Sequence, residues 1–169
     1  MVDIIALKLV AYGNTQEKED GTFECQHGAG ECTSDALELC TQYKLSGNID
    51  SIETGDTSLA AWPFILCMEE ADGDPDAGES CFNSSMSSSN LTWSVVQDCY
   101  FNEYDEVQSA AAKATPDHDY VPWVLVDGEV IEHNDLLQKY ICDAYTGTKP
   151  ESCKQLHQYG TTVCFNHAK

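Results

Sequence analysis

The sequence predicts a mixed α/β domain in which a block of cysteine-bearing helices interrupts a small sheet. Three observations carry this. Residues 1–11 are a short, nearly continuous apolar run ended by Tyr12-Gly13-Asn14, the pattern of a buried strand. Residues 120–126 and 129–132 flank Asp127-Gly128, a two-residue turn signal, which is the pattern of an antiparallel hairpin. Between about residues 30 and 115, apolar side chains recur at helical steps.

Taken in order, residues 15–21 form a charged loop and Thr22-Phe23-Glu24-Cys25 a short strand. Gly28 and Gly30 mark a turn, and a helix follows to about Lys44. Its apolar or sulfur positions Cys32, Ala36, Leu39, Cys40 and Tyr43 share one face. Residues 45–57 are polar and irregular. The next helix spans about 58–70, with Trp62, Ile65, Leu66 and Glu69 at helical spacing and Pro63 placed in the first turn. The acidic run 72–79 resembles the opening of a calcium loop, but its sixth position is Ala77 and its twelfth Asn83, so it is expected to be an exposed loop. Residues 81–90 are Ser-rich and expected to be exposed. Asn90 is placed to cap a helix to about Tyr100, and another helix over about 103–114 ends before Pro116.

After the hairpin, Asn134 or Asp135 caps a helix whose apolar face is Leu136, Leu137, Tyr140, Ile141 and Ala144, and Gly147 ends it. Cys142 lies on this helix, and Cys153 follows the Gly147 and Pro150 turn. The chain can therefore fold back, and a Cys142–Cys153 disulfide is expected. The tail is polar and adds only Cys164.

Composition narrows the function. The 169 residues hold 29 acidic side chains against eight basic, all lysine, for a net charge of −21. That balance argues against nucleic acid and anionic membrane surfaces as partners. No stretch is long and apolar enough to predict a membrane span. Nine cysteines are too many for an ordinary cytosolic domain, and two glycosylation sequons begin at Asn83 and Asn90. Together they point to the secretory route and to disulfides. The amino terminus does not look like a signal segment, because Asp3 and Lys8 interrupt it.

The stretch that organises the chain runs from Cys25 to Cys40. Cys25, Gln26, His27, Gly28, Glu31, Cys32 and Cys40 match, at fixed spacing, the signature of the gamma-interferon-inducible lysosomal thiol reductase family; Asp35 stands where that signature has Asn. The resemblance is broad. Residues 9–14 are similar to the family's Pro-Tyr-Gly-Asn stretch, with Ala11 in the Pro position, and Phe64-Ile65-Leu66-Cys67-Met68-Glu69 is similar to a family helix. Val121-Pro122-Trp123-Val124 resembles its proline-bearing strand, and Cys142, Tyr145, Gly147, Pro150 and Cys153 match its closing segment.

The resemblance implies a single thioredoxin-like domain over 1–169, its sheet interrupted by a disulfide-rich helical insertion at about 30–115. The order of elements fits that fold if its first strand and first helix are missing ahead of Met1. The implied activity is reduction of protein disulfides at acid pH by a lysosomal or secreted protein. Its partners would be disulfide-bonded proteins, met at a groove beside Val121 and Pro122, with no cofactor. The chemistry needs a Cys-x-x-Cys pair, one thiolate to attack and one to resolve the mixed disulfide. The sequence contains no such pair. In the family the pair precedes the strand that opens this chain, so it is expected upstream of Met1, and no catalytic residue is assigned here.

A second reading makes the chain a non-catalytic secreted binding protein on the same scaffold. For Cys25, Cys32 and Cys40 the preferred role is structural disulfide bonding. A zinc site of Cys25, His27 and Cys32 has the wrong spacing for common fingers, so no metal is assigned. His27 is open between a packed or surface histidine and a substrate contact. Pairing eight cysteines allows 105 arrangements, about which the spacing alone says little.

Overall fold

The structure, a computed structural model, describes residues 2–154, so Cys164 lies outside it. The described residues fall into two compact units: Ala6–Val121, and residues 2–5 with 122–154. Four disulfides and two small antiparallel ribbons accompany a helix-rich framework.

The larger unit is built around helix α1 (Ala29–Ser46). Its Ala, Leu, Glu and Gln content favours helix, and it stops at Gly47, whose φ of 70° suits glycine and whose N–H donates to the Tyr43 carbonyl at 2.9 Å. Around it pack α2 (Ser51–Thr54), α3 (Ser58–Glu70), α5 (Trp93–Asn102) and α6 (Tyr104–Ala114), while α4 (Gly78–Ser85) lies against α3 and α5. Because neighbours surround α1, its burial is not a single stripe. Cys32, Ala36, Leu39 and Cys40 are buried as the spacing predicts, but so are Leu37, Glu38, Thr41 and Gln42.

The core joins Leu39, Ile52, Phe64, Met68, Val96 and Val107, all fully buried. At about 25 cal/mol per Å², each such side chain contributes roughly 1.5–3 kcal/mol. Cys40–Cys99 ties α1 to α5 through this core, and Cys67–Cys81 ties α3 to α4. A ribbon of β1 (Gln16–Glu17) and β2 (Phe23–Glu24) precedes α1, paired Gln16 to Glu24 and Glu17 to Phe23.

Several expectations are corrected here. Of the strand expected over residues 1–11, none forms among the described residues: residues 2–4 make one 3-10 turn, and 5–10 have no regular structure. A strand needs a neighbouring ladder, and among the described residues none is offered. The Leu9 N–H instead donates to Ser58 Oγ at 3.0 Å, and Lys8 Nζ to the Ala114 carbonyl at 3.1 Å. Residues 15–21 are not all loop, since β1 lies there. Pro63 sits in the second turn of α3, not the first. It removes the bond to the Leu59 carbonyl on the helix's exposed side. The buried face of α3 is Ala61, Phe64, Ile65 and Met68, while Trp62 and Leu66 are exposed. The Ser-rich segment is partly helix α4, because Cys81, Phe82 and Met86 are drawn into the core. Helix α5 begins after Thr92, not at Asn90.

In the smaller unit, β3 (Leu125–Val126) and β4 (Glu129–Val130) form the hairpin, paired Leu125 to Val130. Asp127 and Gly128 have φ of 50° and 85°, the left-handed pair that a tight two-residue turn demands. Helix α7 (Leu137–Ala144) follows a 3-10 turn at Asn134–Leu136 and ends before Gly147. Asn134 does not cap it; its side-chain amide donates to the Pro122 carbonyl at 3.4 Å. Cys142 and Cys153 are joined, and with Ile131 they are the buried centre of this unit.

Candidate functional site

The signature residues converge at the start of α1. Glycine at 28 is required there: it occupies the N-cap position with φ 95° and ψ −166°, a region essentially closed to other residues. No side chain caps the helix, and Glu31 in the first turn instead fastens the residue ahead of the N-cap. Its carboxylate accepts the His27 N–H at 2.6 Å and faces His27 Nδ1 at 3.0 Å. That bond ties the residue before the N-cap to the first turn, while the Gly28 N–H donates to the Cys25 carbonyl at 3.1 Å, and a carboxylate in the first turn also suits the helix dipole. The Cys25–Cys32 disulfide then closes the seven-residue step from β2 to the first turn. Gln26 points the other way. Its Oε1 accepts from Asn14 Nδ2 at 2.7 Å, and Asn14 Oδ1 faces His118 Nε2 at 3.2 Å. Asn14 thus bridges the signature to the loop at 116–118.

Cys40, the last signature residue, is not part of this cluster. It lies eight residues along α1, about 12 Å away, bonded to Cys99. Val121 and Pro122 are both exposed, the first in the larger unit and the second in the smaller. The Asn83 and Asn90 side chains are also exposed, Asn83 on α4 and Asn90 in the turn ahead of α5. All eight cysteines among the described residues are in disulfides, so neither Cys25 nor Cys32 offers a thiolate to a metal or a substrate.

A cleft of about 280 Å³ opens beside the Cys25–Cys32 bond, lined by Phe23, Glu24, Gly28, Ala29, Thr33, Tyr100 and Tyr104 as well. The rings of Phe23 and Tyr104 meet edge to face at 6.2 Å, and those of Tyr100 and Tyr104 at 6.1 Å. Thr33 Oγ1 and the Tyr100 hydroxyl are 3.2 Å apart. The scattered positions 23, 100 and 104 gave no sequence signal, because three elements bring them together.

Beneath the signature, α1 carries two acids toward α3. Burial, then Glu31 and Glu69, push the Asp35 carboxyl up to about 7. Burial, then Glu69 and Asp35, raise the Glu38 carboxyl well above the usual range. Among the described residues no hydrogen bond or ion pair offsets either side chain. No three His, Cys, Asp or Glu among those residues are placed to hold a metal ion. Both acids therefore favour the uncharged carboxyl form, and for Asp35 that form gives way near neutral pH. Sequence reasoning noted Asp35 as a departure from the signature but missed Glu38, which lies between two buried leucines.

Comparison with known proteins agrees with the signature. The family model for gamma interferon inducible lysosomal thiol reductase matches residues 1–85. A goldfish (Carassius auratus) gamma-interferon-inducible lysosomal thiol reductase is 33% identical, over 97% of this chain and 65% of its own length. The mouse protein of that name is 30% identical, over 98% of this chain and 65% of its own. An Arabidopsis thaliana gamma-interferon-responsive lysosomal thiol protein is 31% identical, over 89% of this chain and 61% of its own. The chain thus spans just under two thirds of the length of these relatives.

Proposed function

Because this chain belongs to the gamma interferon inducible lysosomal thiol reductase family, we propose that it serves the reduction of protein disulfides at acid pH, within a thioredoxin-like fold. The observation that carries this reading is the signature itself: six of its seven matched residues lie at one disulfide-closed helix start. Reduction begins when a thiolate attacks a substrate disulfide sulfur and forms a mixed disulfide. A second thiolate of the same pair then releases the substrate as a dithiol and leaves the pair oxidised.

No Cys-x-x-Cys occurs in the 169 residues, and eight of the nine cysteines are bonded to each other. The chain's part is therefore scaffold and substrate contact. In this reading the exposed Val121 and Pro122 meet substrate, and the partners are disulfide-bonded proteins. No helix among the described residues is long and apolar enough to cross a membrane. The setting is lysosomal or secreted, with glycans on the exposed Asn83 and Asn90. Loss of mass on glycosidase treatment of secreted material tests the glycans; unchanged mass removes them.

The activity is tested by insulin-disulfide reduction at acid pH. The 169-residue chain alone is expected to run at background, and fusion of a Cys-x-x-Cys-bearing strand and helix ahead of Met1 to raise turnover well above it. A fusion that folds with the pair reduced, yet stays at background, counts against the reductase reading. The closed disulfides favour one second reading, a binding protein on the same scaffold. In that case the unfused chain binds denatured protein although it never turns it over.

A further inference from the structure

We propose that the aromatic cleft beside the Cys25–Cys32 disulfide binds a cationic side chain, arginine or lysine, of an extended polypeptide. The proposal rests on the reading that this protein acts on polypeptide substrates, and it names where one of them docks.

Three features fit a cation better than an apolar group. First, Phe23, Tyr100 and Tyr104 line one cleft with rings nearly perpendicular, at 74° and 87°, so that a bound group meets one ring face and another ring's edge. Ring faces carry the negative part of the quadrupole and attract ammonium or guanidinium groups. Second, the surroundings are acidic. Glu24 lines the cleft, and Asp105 and Glu106 stand exposed in the turn that begins with Tyr104. The Tyr104 phenol registers that field: burial first, then Tyr100, Asp105 and Asp35, raise its pKa although Gln108 opposes them. Third, the chain is set to attract cations at long range, with a net charge of −21.

Lys18 answers Glu24 at 2.6 Å and Lys44 answers Glu103 at 2.6 Å, but both pairs leave Asp105 and Glu106 without an ion pair among the described residues. The floor is pinned, since the disulfide and the bond from the His27 N–H to Glu31 tie the start of α1 to the segment before it. A guanidinium fits a space of about 280 Å³ with its stem, and its planar group can stack on a ring while its N–H groups reach the Thr33 and Tyr100 hydroxyls.

The test is an equilibrium titration of the full chain, followed by the ring resonances of Phe23, Tyr100 and Tyr104. The probe is a short, unstructured Gly/Ser peptide with one central arginine and no cysteine, so the result does not depend on reductase chemistry. Control peptides carry citrulline, leucine or phenylalanine at the same place. Arginine is expected to bind about tenfold more tightly than its neutral isostere citrulline, and to weaken as salt is raised. Phe23→Leu keeps apolar bulk and removes a ring face; it should weaken arginine binding about fivefold and leave citrulline unchanged. Tyr100→Leu serves as the second variant, each checked for four intact disulfides. Equal binding of arginine and citrulline by the unmodified protein overturns the proposal whether or not the variants fold. Tighter binding of leucine or phenylalanine overturns it too, and makes the cleft an apolar side-chain pocket.

Discussion

Replacing Asp35 by Asn should remove much of the pH dependence of this fold, and it installs the residue that the family signature carries at that place. In the folded chain the Asp35 carboxyl is pushed up to about 7 from its ordinary 3.8, by burial and then by Glu31 and Glu69. A group that holds its proton more tightly when folded stabilises the fold at low pH. That stability is lost as pH climbs from about 4 through about 7, and the loss then levels off. At roughly 1.4 kcal/mol per pH unit of displacement, the full loss is about 4 kcal/mol, an upper figure because solvent reaches part of the side chain. Asparagine keeps the shape and cannot ionise. Asp35→Asn should therefore gain at most about 1 kcal/mol over the parent near pH 4.5, and at most about 4 kcal/mol near pH 7.5. Glu38 titrates in the same direction, so the single variant flattens the profile and Asp35→Asn with Glu38→Gln flattens it further. Urea midpoints measured by circular dichroism at a series of pH values give both slopes. If parent and variant lose stability in parallel between those pH values, or if the variant is less stable throughout, the buried-acid explanation is wrong.

Two further outcomes follow from the geometry. Gly28→Ala places a side chain at φ 95° and ψ −166° with nothing nearby to clash, so it isolates backbone strain; a loss of about 1–3 kcal/mol is expected by chemical denaturation. A loss below a few tenths would mean the cap glycine is dispensable. Replacing Cys40 and Cys99 together by Ala opens a bridge across 59 residues and should cost about 4 kcal/mol from chain entropy alone. That corresponds to a melting temperature lower by roughly 10 °C in a scan. An unchanged midpoint would show that core packing alone holds α1 to α5.

Much of this fold was legible because its punctuation is local. Asp127-Gly128 has only one good use between two apolar runs, and the turn formed with both residues left-handed. Gly28 and Gly30 marked the turn before a helix, and Pro116 marked an end. What failed depended on partners distant in sequence. Residues 1–11 have the composition of a strand, but a strand exists only with a ladder beside it, and here the Ser58 hydroxyl takes the Leu9 amide instead. On α3 nearly every residue is apolar, so periodicity could not say which side would face Phe82 and α1, and the face chosen was turned from the observed one. The site divides the same way. Cys25 to Cys32 is a contiguous motif. The cleft beside it draws Phe23 from β2, Tyr100 from α5 and Tyr104 from α6, and only folding reveals it.

The central claim is that the signature cysteines are scaffold and not nucleophiles, in a chain of a thiol reductase family. Trapping tests it most directly: the 169-residue chain is mixed with insulin at acid pH, quenched with acid and an alkylating agent, and mapped by mass spectrometry. The account predicts intact Cys25–Cys32, Cys40–Cys99, Cys67–Cys81 and Cys142–Cys153 links, with insulin attached to none of these eight sulfurs. An insulin adduct on Cys25 or Cys32, formed without added reductant and lost when that cysteine is changed to serine, would contradict it.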